Sequence, residues 1–159
     1  MHVPGAFRTA VPILAAVSLT ASARPPLVDY PAGFRQWTHV TSGVNGSAHG
    51  PYEGMYHIYA NAKAIRGYRS GKFPDGAMIA FDLHEAQLSG EATQPAGRKF
   101  VDVMQKDSKL FRSTDGWGYE KFVGGDPQKR RLPPEAMKRC HSCHVAKQSS
   151  DFVISRFRD

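Results

Sequence analysis

Alternating apolar and polar positions mark the middle of the chain as a set of β-strands. Over 77–83 the alternation separates a strongly apolar side from a mixed side. The apolar side carries Ala77, Ile79, Phe81 and Leu83, and the mixed side carries Met78, Ala80, Asp82 and His84. Four more segments are rich in β-branched and aromatic residues, which favour strands: 38–41, 55–60, 98–106 and 117–123.

Helices are predicted on either side of the last three strands. Asn61 is a favourable N-cap for a helix over 62–70, and Gly71 is suited to end it. A second helix begins near Pro134, with Glu135 at its positive N-terminal end. A short helical turn is expected within 31–37. Segments rich in glycine and polar residues predict loops: 42–53, 89–97 and 124–132.

The order of these elements predicts the fold class. Two strands, a helix, three strands and a final helix follow one another, which is typical of α+β domains. We therefore expect an antiparallel β-sheet with flanking helices and a C-terminal helix. That C-terminal helix carries the most specific motif of the chain, described next.

The motif is Cys140-His141-Ser142-Cys143-His144, in which C-x-x-C-H is the attachment signal for a c-type haem. Residues three apart lie on one face of a helix, so both thiols can reach one edge of a porphyrin. The histidine that follows can then ligate the iron. We therefore predict one covalently attached haem c, held by Cys140 and Cys143, with His144 as the iron ligand.

Three other interpretations of the two cysteines stay open from the sequence. C-x-x-C alone is also found in redox dithiols, which usually follow a strand at the start of a helix. A zinc site could use His141 and His144 as further ligands, although five consecutive residues close a tetrahedron poorly. The third alternative is a structural disulfide in a secreted protein.

The N-terminus has the pattern of a secretory signal, with an apolar run over 10–20 and the small residues Ala21-Ser22-Ala23. The run is too short for a usual membrane span, so an uncleaved anchor is the weaker alternative. We predict a signal peptide over 1–23, a haem domain over 24–159 and a periplasmic location. No membrane span is expected after cleavage. The net charge of +7 could suit an acidic redox partner or serve solubility alone, whereas nucleic-acid binding has little support in an exported haem protein.

The C-terminal position of the motif raises the question of the sixth iron ligand. No methionine follows Cys143 in the sequence. The distal face is therefore open to small molecules, or it is filled by an upstream His or Met, as in an electron-transfer cytochrome. Asp82 is the candidate polar group for that face, and His57 is expected in the core. His39, His49 and His141 are expected at the surface or in loops, and the candidate walls of a haem pocket are Tyr56, Tyr59, Phe81 and Phe100.

Several segments together resemble the cytochrome P460 family, which includes the β-sheet cytochromes c-prime. They occur in consistent order over nearly the whole chain after 1–23: 34–37, 54–61, 71–76, 106–109, 116–118, the haem motif and 151–153. The resemblance implies an antiparallel sheet with flanking helices and a five-coordinate haem iron. It further implies chemistry with NO or hydroxylamine, a redox partner protein and, because relatives are often dimers, a homodimer.

The resemblance also assigns residues. The distal carboxylate of the family, usually glutamate, falls at Asp82, and an arginine of the family pattern falls at Arg35. The enzymatic members cross-link a lysine to the haem from the strand that matches 54–60. This chain has Tyr56 and His57 there and no lysine, and the nearest lysine is Lys63.

Overall fold

The computed structural model describes residues 27–133 and 135–158, together with Met1. Apart from Met1, the predicted signal peptide lies outside the described residues, as does Pro134. The α+β class is confirmed, since five antiparallel strands form one sheet in the order β1-β2-β3-β4-β5. The strands are β1 (Thr38–Asn45), β2 (Gly54–Ala60), β3 (Met78–Ser89), β4 (Ala92–Lys106) and β5 (Trp117–Val123).

Two α-helices accompany the sheet: α1 (Ala62–Ser70) and α2 (Ala136–His144). The Asn61 side chain accepts a hydrogen bond from the Ala64 amide, and Gly71 ends α1 with a left-handed φ of 77°. Both predicted signals of this helix are therefore confirmed. Short 3₁₀ segments cover Phe34–Gln36, Ser47–Tyr52, Arg112–Thr114 and Val145–Ser150.

Two predicted loops were partly wrong. Residues 42–45 continue β1, where Gly43 pairs with Tyr56. A Cβ at Gly43 would lie 2.6 Å from the Tyr56 hydroxyl oxygen, so glycine is needed for close approach rather than for a turn. Residues 92–97 belong to β4, which extends with β3 as an exposed hairpin beyond the rest of the sheet. Pro95 is tolerated there because β5 pairs with β4 only from Phe100 onward.

The register of the strands fixes which side chains share a face. Phe81 lies opposite Ile58 on one side and Asp102 on the other, and Asp102 lies opposite Lys121. We call the face of the sheet that carries these four side chains the inner face. Asp82 lies opposite His57 and Val101, so it belongs to the outer face. Successive strand residues alternate between the two faces, which confirms the predicted alternation of β3.

Each face has its own hydrophobic cluster. Trp117, Phe73 and Phe152 are buried in the cluster that includes α1 and the C-terminal segment. On the outer face, Phe122 and Phe111 are buried with the N-terminal residue Val28. Helix α2 packs near β5 on the inner side, since Met137 and Cys140 contact the first cluster. The inner face is therefore covered only in part by side chains, and a cavity fills the remainder.

Candidate haem site

A cavity of about 830 Å³ lies between the inner face of the sheet, helix α2 and the C-terminal segment. Its volume falls within the range of roughly 300–1,000 Å³ that is usual for ligand and cofactor sites. Its walls combine aromatic and aliphatic side chains with a few polar groups. The side chains that line it include Tyr52, Tyr56, Ile58, Ile79, Phe81, Asp102, Met104, Tyr119, Lys121, Arg139, Cys140, Cys143 and His144.

Helix α2 brings the whole attachment motif to this cavity. Cys140 and Cys143 are three residues apart and both line it, as does His144 at the end of the helix. Both cysteines are free thiols. Cys143 is exposed at the cavity edge, whereas Cys140 is half-buried.

His144 is fixed in the tautomer that a metal ligand requires. Its Nδ1–H donates to the Phe152 carbonyl oxygen over 2.8 Å, so the lone pair is on Nε2. Burial lowers the pKa of His144 below its usual value, which keeps the ring neutral. A hydrogen bond of this kind orients an imidazole and increases its basicity toward a metal.

These features fit a covalently attached haem better than the three alternatives. Two thiols and an imidazole share one large cavity with aromatic walls, which suits a macrocycle with one axial ligand. Within the described residues, no group of three or more His, Cys, Asp or Glu side chains could hold a metal ion. The zinc alternative therefore has no geometric support, and neither a dithiol nor a disulfide accounts for the cavity.

The sheet contributes a polar cluster to the cavity, formed by Asp102, Lys121 and Tyr52. Asp102 Oδ1 lies 2.6 Å from Lys121 Nζ. That contact is ionic rather than a well-aligned hydrogen bond, since neither atom has a partner of good hydrogen-bond geometry. The Tyr52 hydroxyl donates to Asp102 Oδ2 over 2.9 Å. Lys121 Nζ also lies 3.0 Å from the centre of the Phe100 ring, a cation–π contact.

Burial shifts the ionisation of this cluster. Desolvation raises the pKa of Asp102, while the charge of Lys121 and the hydrogen bond from Tyr52 oppose the rise. Desolvation also lowers the pKa of Lys121, against the attraction of Asp102. The pKa of Tyr52 is raised, first by burial and then by the Asp102 charge. A buried carboxylate with a raised pKa, facing a cavity, is a candidate proton acceptor.

Comparison with known proteins identifies the family. The sequence profile of Cytochrome P460 matches residues 31–155, which is most of the chain. The chain belongs to the Cytochrome P460 family. A comparison with curated proteins finds no match. Membership of the Cytochrome P460 family implies a c-type cytochrome with a haem cofactor, and it suggests small-ligand binding and redox partners.

The predicted distal residues Asp82 and Arg35 do not line the cavity of this Cytochrome P460 protein. Asp82 is 1% exposed on the outer face, where Arg98 Nε donates to its Oδ1 over 2.7 Å and Nη2 to its Oδ2 over 3.1 Å. His84 Nε2 lies 3.2 Å from Asp82 Oδ1. Arg35 is exposed in the 3₁₀ segment Phe34–Gln36. The strand register puts Asp82 on the face opposite the cavity, whereas Asp102 lines the cavity.

His141 was predicted at the surface, and this prediction was wrong. The residue is 8% exposed. Its Nε2 lies 2.8 Å from Asp115 Oδ2 and its Nδ1 lies 3.1 Å from the Tyr119 hydroxyl. These partners come from the turn before β5 and from β5 itself, so His141 anchors α2 against the sheet. His57, expected in the core, is only half-buried, and its Nδ1 lies 2.7 Å from Ser42 Oγ.

The aromatic predictions for the cavity are confirmed in part. Tyr56 and Phe81 stack with ring centres 5.2 Å apart, and both line the cavity. Tyr59 belongs to the outer face, opposite Ala80. Met104 also lines the cavity, so it is the methionine with access to a bound haem. Met78 packs against the outer cluster, and Met137 contacts both clusters.

Within the part of the chain that the structure describes, no helix combines the length and hydropathy needed to cross a bilayer.

Proposed function

We propose that this protein is an exported monohaem cytochrome c whose five-coordinate haem binds NO or a related nitrogen species and oxidises hydroxylamine. The observation that carries the proposal is the composition of one cavity. It presents Cys140, Cys143 and His144 from α2 and a half-buried Asp102–Lys121 pair from the sheet. One side supplies attachment and an axial ligand, and the other supplies a proton acceptor.

In the proposal, Cys140 and Cys143 form the thioether links and His144 is the proximal ligand. The hydrogen bond to the Phe152 carbonyl keeps the His144 ring oriented while its Nε2 lone pair serves the metal. When bound, the haem supplies an iron centre that takes small nitrogen ligands and exchanges electrons.

Asp102 is proposed as the proton acceptor. Oxidation of hydroxylamine releases protons, and a carboxylate whose pKa is raised by burial holds a proton more readily than one in water. Lys121 keeps part of the Asp102 population ionised and therefore able to accept. Tyr52 fixes the carboxylate orientation through its bond to Oδ2.

Electrons are proposed to leave toward an acidic partner protein. Cys143 is exposed, so a thioether edge would reach the surface there. Arg139, Arg156 and Arg158 are exposed and line the cavity. A cationic rim of this kind steers an acidic partner to the same edge.

A second candidate function is electron transfer by a six-coordinate haem. It is favoured by one observation, that Met104 lines the cavity and thioether sulfur is a known axial ligand. A carrier of this kind gives no role to the half-buried Asp102–Lys121 pair in the cavity. The ligand-binding function gives that pair a role as proton acceptor.

Export and dimerisation complete the proposal. Residues 1–23 have the composition of a signal peptide, and export to the periplasm would place the chain where c-type haem is attached. N-terminal sequencing of the protein from a periplasmic extract tests this, with Arg24 expected as the first residue. A homodimer is expected by likeness to relatives, and light scattering coupled to gel filtration measures it.

The deciding experiment is an optical spectrum of the purified holoprotein in the oxidised and reduced forms, with and without NO. A high-spin spectrum that changes on addition of NO supports the open-site proposal. Turnover of hydroxylamine with an artificial electron acceptor then separates an enzyme from a binding protein.

A further inference from the structure

Two consecutive residues after the haem helix have an unusual backbone conformation. Asp151 has a φ of 50° and Phe152 a φ of 67°, and neither is glycine. The left-handed region is unfavourable for residues with a Cβ, and such conformations persist only when the surroundings hold them. Phe152 supplies the carbonyl to which His144 donates. The strained pair therefore lies directly behind the proposed proximal ligand.

Asp151 is held from three sides. Its Oδ2 accepts from the Phe73 amide over 2.8 Å, and its Oδ1 accepts from Lys106 Nζ over 2.8 Å. Its backbone carbonyl accepts from Trp117 Nε1 over 2.8 Å. The three donors come from the segment after α1, from β4 and from β5. The side chain and the carbonyl of one residue thus connect three separate parts of the fold.

The partner Lys106 is itself fixed. Its side chain is 11% exposed and that of Asp151 is 16% exposed, so this ion pair is largely removed from solvent. Lys106 Nζ also donates to the Asp115 carbonyl over 3.1 Å and lies 4.9 Å from the Trp117 ring centre. An ion pair with this many additional contacts has a defined geometry, unlike a surface pair.

We propose that Asp151, held by Lys106, is a positioning residue for the proximal ligand. It fixes the Phe152 carbonyl at hydrogen-bond distance from His144 Nδ1 and thereby sets the strength of the bond between His144 and iron. The inference rests on the proposed function only in that His144 ligates a haem iron. Strong donation from Nδ1 to a fixed carbonyl makes the ring a better electron donor to a metal.

The test uses Asp151→Ala and Lys106→Met in the full-length holoprotein. Asp151→Ala removes two acceptors, so the residue pair is free to leave the left-handed conformation. Lys106→Met keeps the bond from the Phe73 amide and removes the ion pair, together with the Lys106 bond to the Asp115 carbonyl and the contact with the Trp117 ring. We expect the iron–histidine stretching frequency in resonance Raman spectra to fall and the midpoint potential to rise in both, more in Asp151→Ala. The affinity of ferrous iron for its histidine should fall by about 10-fold or more, the usual effect of losing a partner behind a ligand.

The matched control is Asp126→Asn, which alters an exposed carboxylate that bonds the Gln128 amide and pairs with Lys129. It should leave both readouts unchanged. Thermal melting is measured in parallel, since a purely structural role of Asp151 would lower the melting temperature without moving the vibrational frequency at low temperature. If Asp151→Ala does not fold, Lys106→Met decides the question.

Two failures are distinguishable. A wild-type protein without covalent haem, or one whose haem is not ligated by His144, contradicts the proposed function. A wild-type protein with a normal iron–histidine band, together with variants that keep the same band and potential, overturns the positioning role of Asp151.

Discussion

Asp102 and Lys121 face each other across β4 and β5, with Oδ1 and Nζ 2.6 Å apart inside the cavity. Both side chains point away from the outer cluster and toward the helix that carries the attachment motif. An ion pair in such a place is costly to bury and contributes little net stability unless it is well satisfied. The pair lines the same cavity as His144, and we therefore propose that it has a chemical role.

The first prediction concerns Asp102→Asn. The amide cannot accept a proton from a substrate, so hydroxylamine oxidation should fall by about 10²–10⁴-fold, the usual contribution of a general base. Haem content, measured as the pyridine haemochrome, should stay at the wild-type level. Steady-state turnover with an artificial electron acceptor gives the comparison.

The matched change on the other face is Asp82→Asn. Asp82 is bound by Arg98 outside the cavity, so this variant should lose thermal stability while its turnover per haem stays near the wild-type value. A loss of turnover in Asp82→Asn with none in Asp102→Asn would reverse the two assignments.

The second prediction concerns the pH profile. A base must be ionised to act, so kcat/KM should fall as the pH drops through the raised pKa of Asp102. The positive charge of Lys121 holds that pKa down. In Lys121→Met the pKa of Asp102 should rise further, and the acidic limb of the profile should move to higher pH. Movement of the limb to lower pH would show that Asp102 is not the group being titrated.

The third prediction concerns Met104→Leu, a change that keeps size and removes the sulfur. An open distal face requires the optical spectra of both oxidation states to stay as in the wild type. The electron-carrier alternative instead requires a change of spin state. Met78→Leu, on the outer face, serves as the control because Met78 does not line the cavity.

The fourth prediction concerns attachment. A Cys140→Ala, Cys143→Ala double variant should lose all haem on a denaturing gel, because no other cysteine occurs in the chain. Ser142→Ala lies within the same motif, and its hydroxyl bonds only the Arg139 carbonyl among the described contacts. It should retain the haem fully. Covalent haem in the double variant would contradict the proposed thioether links.

The fifth prediction concerns stability. The Asn61 side chain accepts from the Ala64 and Met78 amides and donates to the Gly76 carbonyl. Asn61→Ala should lower the free energy of unfolding by about 2 kcal/mol, since it removes an N-cap and leaves backbone groups of β3 and its preceding turn without partners. Asn45→Ala, which loses one exposed bond to the Tyr52 carbonyl, should change it by less than about 0.5 kcal/mol. Urea denaturation measures both.

The sequence predicts those parts of the fold that local signals determine. Asn61 and Gly71 bracket α1 because capping depends on neighbouring residues. The alternation over 77–83 separates the two sides of β3 because the pleat of a strand also depends only on neighbouring residues. The outer half of the β3–β4 hairpin was missed because it contacts no core, so backbone pairing holds it and no hydrophobic pattern marks it.

The candidate site depends on contacts between residues that lie far apart in the sequence. Asp82 and Asp102 both alternate with apolar residues, and only the pairing of strands shows which of them faces α2. Tyr52 lay in a segment predicted as loop, yet it folds onto the sheet and bonds a carboxylate 50 positions away. His141 is buried because Tyr119 and Asp115 meet it from distant positions in the chain.

The most direct test of the central claim is the ferric spectrum of the purified holoprotein before and after addition of NO. We predict a high-spin, five-coordinate haem c whose spectrum changes on NO binding. A low-spin spectrum that NO leaves unchanged would contradict an open haem site in this cavity.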